Sequence, residues 1–194
     1  MERHEIIDFV KNMQPTDHAV LLYTSLEDKH YVLFSFLKAG LEKNHAAAYI
    51  TSQETPKQIR QAMKKFGIDV EEQEAKHALT VIDYRDWYII DGKFNMSNLF
   101  RLMQNMMDET RRKGFEGLRG AGEMACFFEN NMVNELIEYE YALHKTLRFP
   151  LAMICAYDSK QVTSNTTLST LLSLKAAHSP VIIMGPKSAT IIKT

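Results

Sequence analysis

The hydrophobic positions of this chain follow two alternating patterns. Short, almost continuously apolar runs are separated by longer segments in which apolar residues recur at helical spacing. The runs predict core strands at 18–23, 46–51, 79–82, 150–157 and 181–184, and the glycine-rich stretch 115–124 supplies a further strand. Strands that are apolar throughout are expected to be covered on both faces. The pattern therefore predicts an α/β fold, with a mainly parallel sheet between two helical layers.

The segments between these strands carry helix signals. Thr55, Pro56 and Gln58 form a helix start in which Thr55 caps and Gln58 completes a capping box, and Gly67 is a typical stop. Asn95 is a further cap candidate. The other predicted helices cover 2–13, the segment from Tyr31 to Asn44, a segment starting at Asn130 or Asn131, and 165–177. We expect one domain over 1–194, with a core at about 15–184 and an N-terminal helix at 2–13.

Composition and charge narrow the class of protein. Apolar residues make up 45% and charged residues 24%, and the formal net charge is −1. This balance predicts no direct nucleic-acid binding. The two cysteines, Cys126 and Cys155, lack CxxC spacing, no signal pattern opens the chain, and no apolar run approaches the roughly 20 residues of a membrane span. We expect a cytoplasmic protein without membrane contact.

Parallel sheets of this kind bind ligands beyond the carboxyl ends of their strands. The residues that follow the predicted strands are therefore the candidate ligand-binding positions. They include Thr24, Ser25, Tyr84, Arg119, Glu123 and Asp158. Arg119 and Glu123 lie on the glycine-rich strand and carry opposite charges, so they fit either polar ligand contacts or a structural ion pair.

The first strand and helix occupy the place of a phosphate loop, but the sequence does not fit one. Such a loop needs glycines followed by Lys and Ser/Thr. Residues 23–30 contain no glycine, and Glu27 and Asp28 would repel phosphate. Two partial matches, Gly185-Pro-Lys-Ser188 and the G-x-G-x-x-A pattern of 120–125, lack the helix that each motif requires. Ordinary ATP binding is not predicted.

No catalytic or metal-binding motif stands out. The histidines show no HExxH spacing and no serine lies in GxSxG, so no catalytic residue, metal or cofactor is predicted. Eleven methionines are many for this length, and methionine adapts to irregular apolar space. Met124 fits either the apolar wall of a ligand pocket or ordinary core packing. Tyr84 and Trp87 fit either a pocket wall or a cover over the sheet edge. His178 fits a pocket residue or a solvated histidine.

The segment 117–124, Gly-Leu-Arg-Gly-Ala-Gly-Glu-Met, resembles the signature strand of the MEDS domain, the methanogen/methylotroph DcmR-type sensory domain. Further similarities follow in the family's order at 18–23, 36–41, 91–94, 139–140, Pro150, 155–158 and His178, so that the resemblance covers about 15–184. It implies a RecA/KaiC-like fold without a working phosphate loop. It also implies a sensory role, with hydrocarbon derivatives as the suggested ligands.

Three hypotheses remain open. The first is a non-catalytic sensory domain that binds a small molecule and acts through a separate signalling or transcription partner. The second is a diverged RecA/KaiC-like nucleotide-binding ATPase or switch. The third is a scaffold that acts through self-association, and the analogy with RecA-like proteins favours a homodimer.

Overall fold

A seven-stranded sheet forms the centre of the protein. The computed structural model describes residues 2–146, 150–165, 180–185 and 189–192. The sheet strands are β1 (His18–Tyr23), β2 (His45–Thr51), β3 (Leu79–Asp83), β6 (Gly117–Glu123), β7 (Leu151–Asp158), β8 (Val181–Met184) and β9 (Ala189–Ile192). Their order is β3-β2-β6-β7-β1-β8-β9. All neighbours are parallel except β8 and β9, which places the carboxyl ends of β1, β2, β6 and β7 along one edge.

Helices cover both faces of this sheet. They are α1 (Arg3–Lys11), α2 (Leu26–Leu41), α3 (Pro56–Phe66), α4 (Val70–Ala75), α5 (Met96–Arg112), α6 (Ala125–Glu129), α7 (Val133–Thr146) and α8 (Ser159–Asn165). The expected caps form. Thr55 and Gln58 make a capping box, Gly67 ends α3 at φ +91°, and Asn95 accepts a hydrogen bond from the Asn98 N–H. The predicted three-layer α/β fold with a mainly parallel sheet is therefore confirmed.

The sheet divides the core into two clusters because alternate residues of a strand point to opposite faces. On β6, Ala121 packs into a cluster with α1, α2 and α3, whereas Leu118 packs into a second cluster with α5 and α7. Arg119 and Glu123 share the face of Ala121. Every residue of β6 is buried, so this strand runs through the middle of the fold.

Several elements differ from the predictions. Some short elements were not predicted, because they carry too few residues for a periodic pattern. They are the hairpin of β4 (Ile89–Ile90) and β5 (Lys93–Phe94), the short helices α4 and α6, and the edge strand β9. α2 begins at Leu26, five residues before Tyr31, because Ser25 caps it. Most of the helix predicted at 165–177 lies outside the described residues.

Candidate functional site

Glu123, at the carboxyl end of β6, is the centre of a buried polar network. Its carboxylate accepts hydrogen bonds from Lys29 Nζ (2.7 Å), the Tyr49 hydroxyl (2.6 Å) and the backbone N–H groups of Ser52 and Gln53 (2.7 Å each). The Glu123 and Lys29 side chains are both fully buried. A carboxylate with this many donors is fixed in position, and it leaves little capacity to bind a ligand directly.

Lys29 connects this buried network with Glu54 and His30, which are partly exposed. Its ammonium lies 3.0 Å from Glu54 Oε2, and His30 Nε2 lies 2.6 Å from the same oxygen. Burial raises the pKa of Glu54, but the contacts with His30 and Lys29 outweigh it and lower that pKa to about 2. Lys29 is thus held by two carboxylates, in the first turn of the helix that follows β1.

Asp158, at the end of β7, belongs to the same edge. Gln53 Nε2 donates to Asp158 Oδ2 (3.3 Å), and the Tyr23 hydroxyl donates to Gln53 Oε1. Burial raises the pKa of Tyr23, and the nearby Glu123 and Asp158 raise it further. The candidate residues Glu123 and Asp158 therefore lie at the same sheet edge, and both accept hydrogen bonds from Gln53.

Arg119 lies elsewhere, and its guanidinium contacts backbone carbonyls of two helical segments. Its guanidinium donates to the backbone carbonyls of Val10 (3.2 Å), Lys11 (3.1 Å), Met13 (3.2 Å) and Phe36 (2.9 Å). The bonds to Val10, Lys11 and Met13 cap the C-terminal end of α1, and the bond to Phe36 reaches α2. Of the two alternatives, the structural Arg119–Glu123 ion pair is wrong, because the ion-pair partner of Glu123 is Lys29. The two residues are four positions apart on one strand face, which places them roughly 13 Å from each other.

Thr24 and Ser25 border an open cleft of about 1340 Å³. Ser25 Oγ accepts the Asp28 N–H (3.2 Å) and thereby caps α2. The Arg3 guanidinium also donates a hydrogen bond to Asp28 Oδ1 (2.5 Å). The helix terminus that would face a phosphate is consequently occupied by the chain's own side chains.

The predicted aromatic residues separate. Trp87 is buried and lines a small apolar cavity, whereas Tyr84 is only partly buried and contacts the Arg85 guanidinium, 5.6 Å from its ring. Met124 is fully buried and packs against Gly122, beside the Tyr88 hydroxyl. His178 lies outside the described residues.

The cavity beside Trp87 is apolar and lies between α5 and the sheet. Its walls are Ala48, Ile50, Trp87, Met103, Met106, Leu118, Gly120, Leu151 and Met153, and its volume is about 20 Å³. Met103 and Met106 are partly exposed, so they separate the cavity from solvent.

Sequence reasoning missed two groups of polar residues. No role for Lys29 follows from the sequence, because nothing near it in the sequence identifies Glu123 as its partner. A buried cluster of His18, Glu140 and Cys155 was also missed. Its members come from β1, α7 and β7, and no short motif connects them.

No described helix is both long and apolar enough to cross a membrane. No curated protein matches the sequence. Among solved structures, the fold is similar to a KaiC-like protein from the hyperthermophilic archaeon Pyrococcus horikoshii OT3. The TM-score is 0.61 at 13% identity, over 91% of this chain and 76% of that one. This likeness shows a KaiC-like, RecA-type fold.

The sequence model of one family, described as the methanogen/methylotroph DcmR sensory domain, matches residues 17–173. This match takes in α2 with Lys29, the glycine-rich strand β6 and the α7–β7 unit. The sequence resemblance is therefore confirmed over most of the chain, and the protein belongs to the MEDS family of sensory domains.

Proposed function

We propose that this protein is a sensory domain that binds a small, largely apolar molecule in the cavity between α5 and the sheet. The observation that carries this proposal is the chemistry of the cavity wall, which is entirely apolar and includes three methionines and Trp87. Methionine side chains are flexible and polarisable, so they adapt to an apolar guest. A hydrocarbon derivative, the ligand class suggested by the family resemblance, fits such a wall.

The size of the cavity favours a small guest. A volume of about 20 Å³ is slightly more than the roughly 10–15 Å³ that a single water needs on the same measure. An apolar wall does not hydrogen-bond water, so a one-carbon molecule is the better occupant. Larger guests would require Met103 and Met106, which are only partly buried, to move outward.

The polar residues at the carboxyl edge of the sheet support a role without nucleotide hydrolysis. Lys29 lies in the first turn of the helix that follows β1, where a phosphate loop would end, and Glu123 and Glu54 already hold it. Arg119, Glu123 and Asp158 then act as structural supports of the domain, whereas Trp87 contacts the ligand. Thr24, Ser25, Tyr84 and Met124 stay outside this cavity wall.

Methionine methyl NMR tests the site directly, with xenon and chloromethane as probes. We expect saturable shifts of the Met103, Met106 and Met153 signals. Met63, fully buried in the cluster on the opposite sheet face, is the internal control and should not move. Equal shifts at Met63, or no saturable shift at any methionine, would contradict the proposed cavity site.

Gly120→Ala is the matched variant for this experiment. An added methyl group would lie 3.3 Å from Met153 Cγ and 3.5 Å from its Cε, so it fills the cavity with only small adjustments. We expect a folded protein whose methionine shifts with either probe are abolished. Undiminished probe binding in the folded variant would place the ligand elsewhere.

The KaiC-like fold keeps the nucleotide-switch alternative testable. Thermal denaturation with ATP or ADP and Mg²⁺ should give no saturable stabilisation if Lys29 stays paired with Glu123. The scaffold alternative and the predicted homodimer are tested by sedimentation equilibrium. A dimer that forms equally with and without chloromethane would favour scaffolding.

A further inference from the structure

Three side chains with metal-ligating atoms meet in the core on the sheet face that also carries the methionine cavity, where His18 pairs in register with the cavity residue Met153. His18 opens β1, Cys155 lies in β7, and Glu140 lies on α7. All three are buried, with 3%, 0% and 0% of their surface exposed. Their donor atoms lie within 4.8 Å of one another.

The fold explains why these residues meet. β1 and β7 are parallel neighbours, with Val20 opposite Cys155. His18 is two positions before Val20 and so shares its face. α7 packs on this same face through the fully buried Leu136 and Leu143, and it brings Glu140 over the two strands.

The distances fit a shared metal ion. His18 Nε2 lies 3.3 Å from Cys155 Sγ and 3.4 Å from Glu140 Oε2. Ligands at Zn–N of about 2.0–2.1 Å, Zn–S of about 2.3 Å and Zn–O of about 2.0–2.2 Å are separated by roughly 3.3–3.6 Å when arranged tetrahedrally. Both measured separations agree with edges of such a tetrahedron, within the tolerance of side-chain rotation.

The surroundings of Glu140 also suit a metal ligand. Tyr157 donates a hydrogen bond to Glu140 Oε1, which leaves Oε2 directed towards His18. Metal-binding carboxylates are commonly oriented by such a second hydrogen bond. A thiolate and a carboxylate together carry two negative charges, which a divalent cation neutralises in this buried position.

We propose that His18, Glu140 and Cys155 form a binding site for a divalent transition metal of the Zn²⁺ class. Imidazole, thiolate and carboxylate together match the borderline-soft character of this ion. Binding displaces the Cys155 thiol proton to solvent and forms the metal–sulfur bond. Three protein ligands leave a fourth position for water or a small exogenous ligand.

Cobalt(II) substitution of the purified protein tests this site. Metal is removed with a chelator, and Co²⁺ is added while the visible spectrum is recorded. We expect one equivalent of Co²⁺ to give the intense bands of a tetrahedral site together with a thiolate-to-metal charge-transfer band. Zn²⁺ should displace the cobalt and remove both signals.

Cys126→Ser is the matched control, since Cys126 is the other buried cysteine and its sulfur contacts the Glu123 carbonyl instead. It should keep the cobalt spectrum. Cys155→Ser should lose the charge-transfer band, and His18→Asn, which removes one of the three ligands, should weaken binding more than Tyr157→Phe does. Tyr157→Phe should weaken it by about 10–100-fold and keep the spectrum, as expected of a positioning residue.

The proposal is overturned if the wild-type protein gives no thiolate charge-transfer band, or if Cys155→Ser binds Co²⁺ as the wild type does. Circular dichroism establishes whether each variant folds. Should Cys155→Ser unfold, Tyr157→Phe decides between the outcomes. A normal affinity in that folded variant contradicts the assigned carboxylate geometry.

Discussion

At the scale of single residues, the Lys29–Glu123 pair is the interaction on which the carboxyl edge of the sheet depends. Both side chains are fully buried, and their charges are 2.7 Å apart. Removing one partner leaves the other charge buried without compensation, which costs about 3–5 kcal/mol in comparable cases. Glu123 also holds the loop after β2 through the Ser52 and Gln53 N–H groups.

Lys29→Met should therefore lower the free energy of unfolding by about 3–5 kcal/mol, as measured by urea denaturation. The double variant Lys29→Met/Glu123→Gln should recover part of this loss because no uncompensated charge remains. Lys65→Met, at an exposed position of α3, is the control and should change stability by less than about 0.5 kcal/mol. A Lys29→Met variant as stable as this control would refute the assigned pair.

At the scale of elements, Arg119 connects three segments that are distant in sequence. From β6 it passes over α2 and reaches the carbonyls at the end of α1, and its guanidinium lies 4.9 Å from the Phe36 ring centre. This route explains Gly40, a glycine inside a helix. A Cβ at Gly40 would lie 2.5 Å from Arg119 Cδ, so a larger residue blocks the path of the arginine.

Gly40→Ala should consequently destabilise the protein, by about 1–3 kcal/mol. The usual effect of this change within a helix is a gain of up to about 1 kcal/mol, so the sign distinguishes the two effects. Thermal or urea denaturation measures it. In an Arg119→Ala background the cost should disappear, and a cost that persists there would show that Arg119 is not the obstacle.

At the scale of the whole molecule, the free energy of unfolding depends on pH through Glu54, at the carboxyl edge of the sheet. The pKa of Glu54 falls from 4.5 to about 2 on folding, chiefly through His30 and Lys29 acting against burial. A carboxyl whose folded pKa is depressed contributes stability above its unfolded pKa. That contribution is lost as the pH falls towards the folded pKa.

The free energy of unfolding of the wild type should thus exceed that of Glu54→Gln at neutral pH. The difference should shrink as the pH falls from about 4.5 to about 2. Urea denaturation at several pH values measures this difference. A gap between the two proteins that stays constant over this interval would show that Glu54 is not the titrating group.

Much of the architecture could be predicted because its signals are local. The apolar runs, the capping residues Thr55 and Asn95, and the stop at Gly67 each depend on neighbours in the sequence. Short elements such as β4, β5 and α4 could not be predicted, since a few residues carry no periodicity. For the candidate site, the prediction that polar residues gather at the carboxyl edge was informative for Glu123 and Asp158, but it gave no partners.

The sequence by itself determined the alternation of strands and helices, the membership of the MEDS family and the lack of glycines after β1. Only the tertiary structure decided what the charged residues do. Glu123 pairs with a lysine 94 positions away, Arg119 reaches a carbonyl 109 positions away, and His18 meets Cys155 across 137 positions. Contacts at such separations depend on the strand order β7-β1 and on how α1, α2 and α7 pack, and local sequence patterns do not encode either.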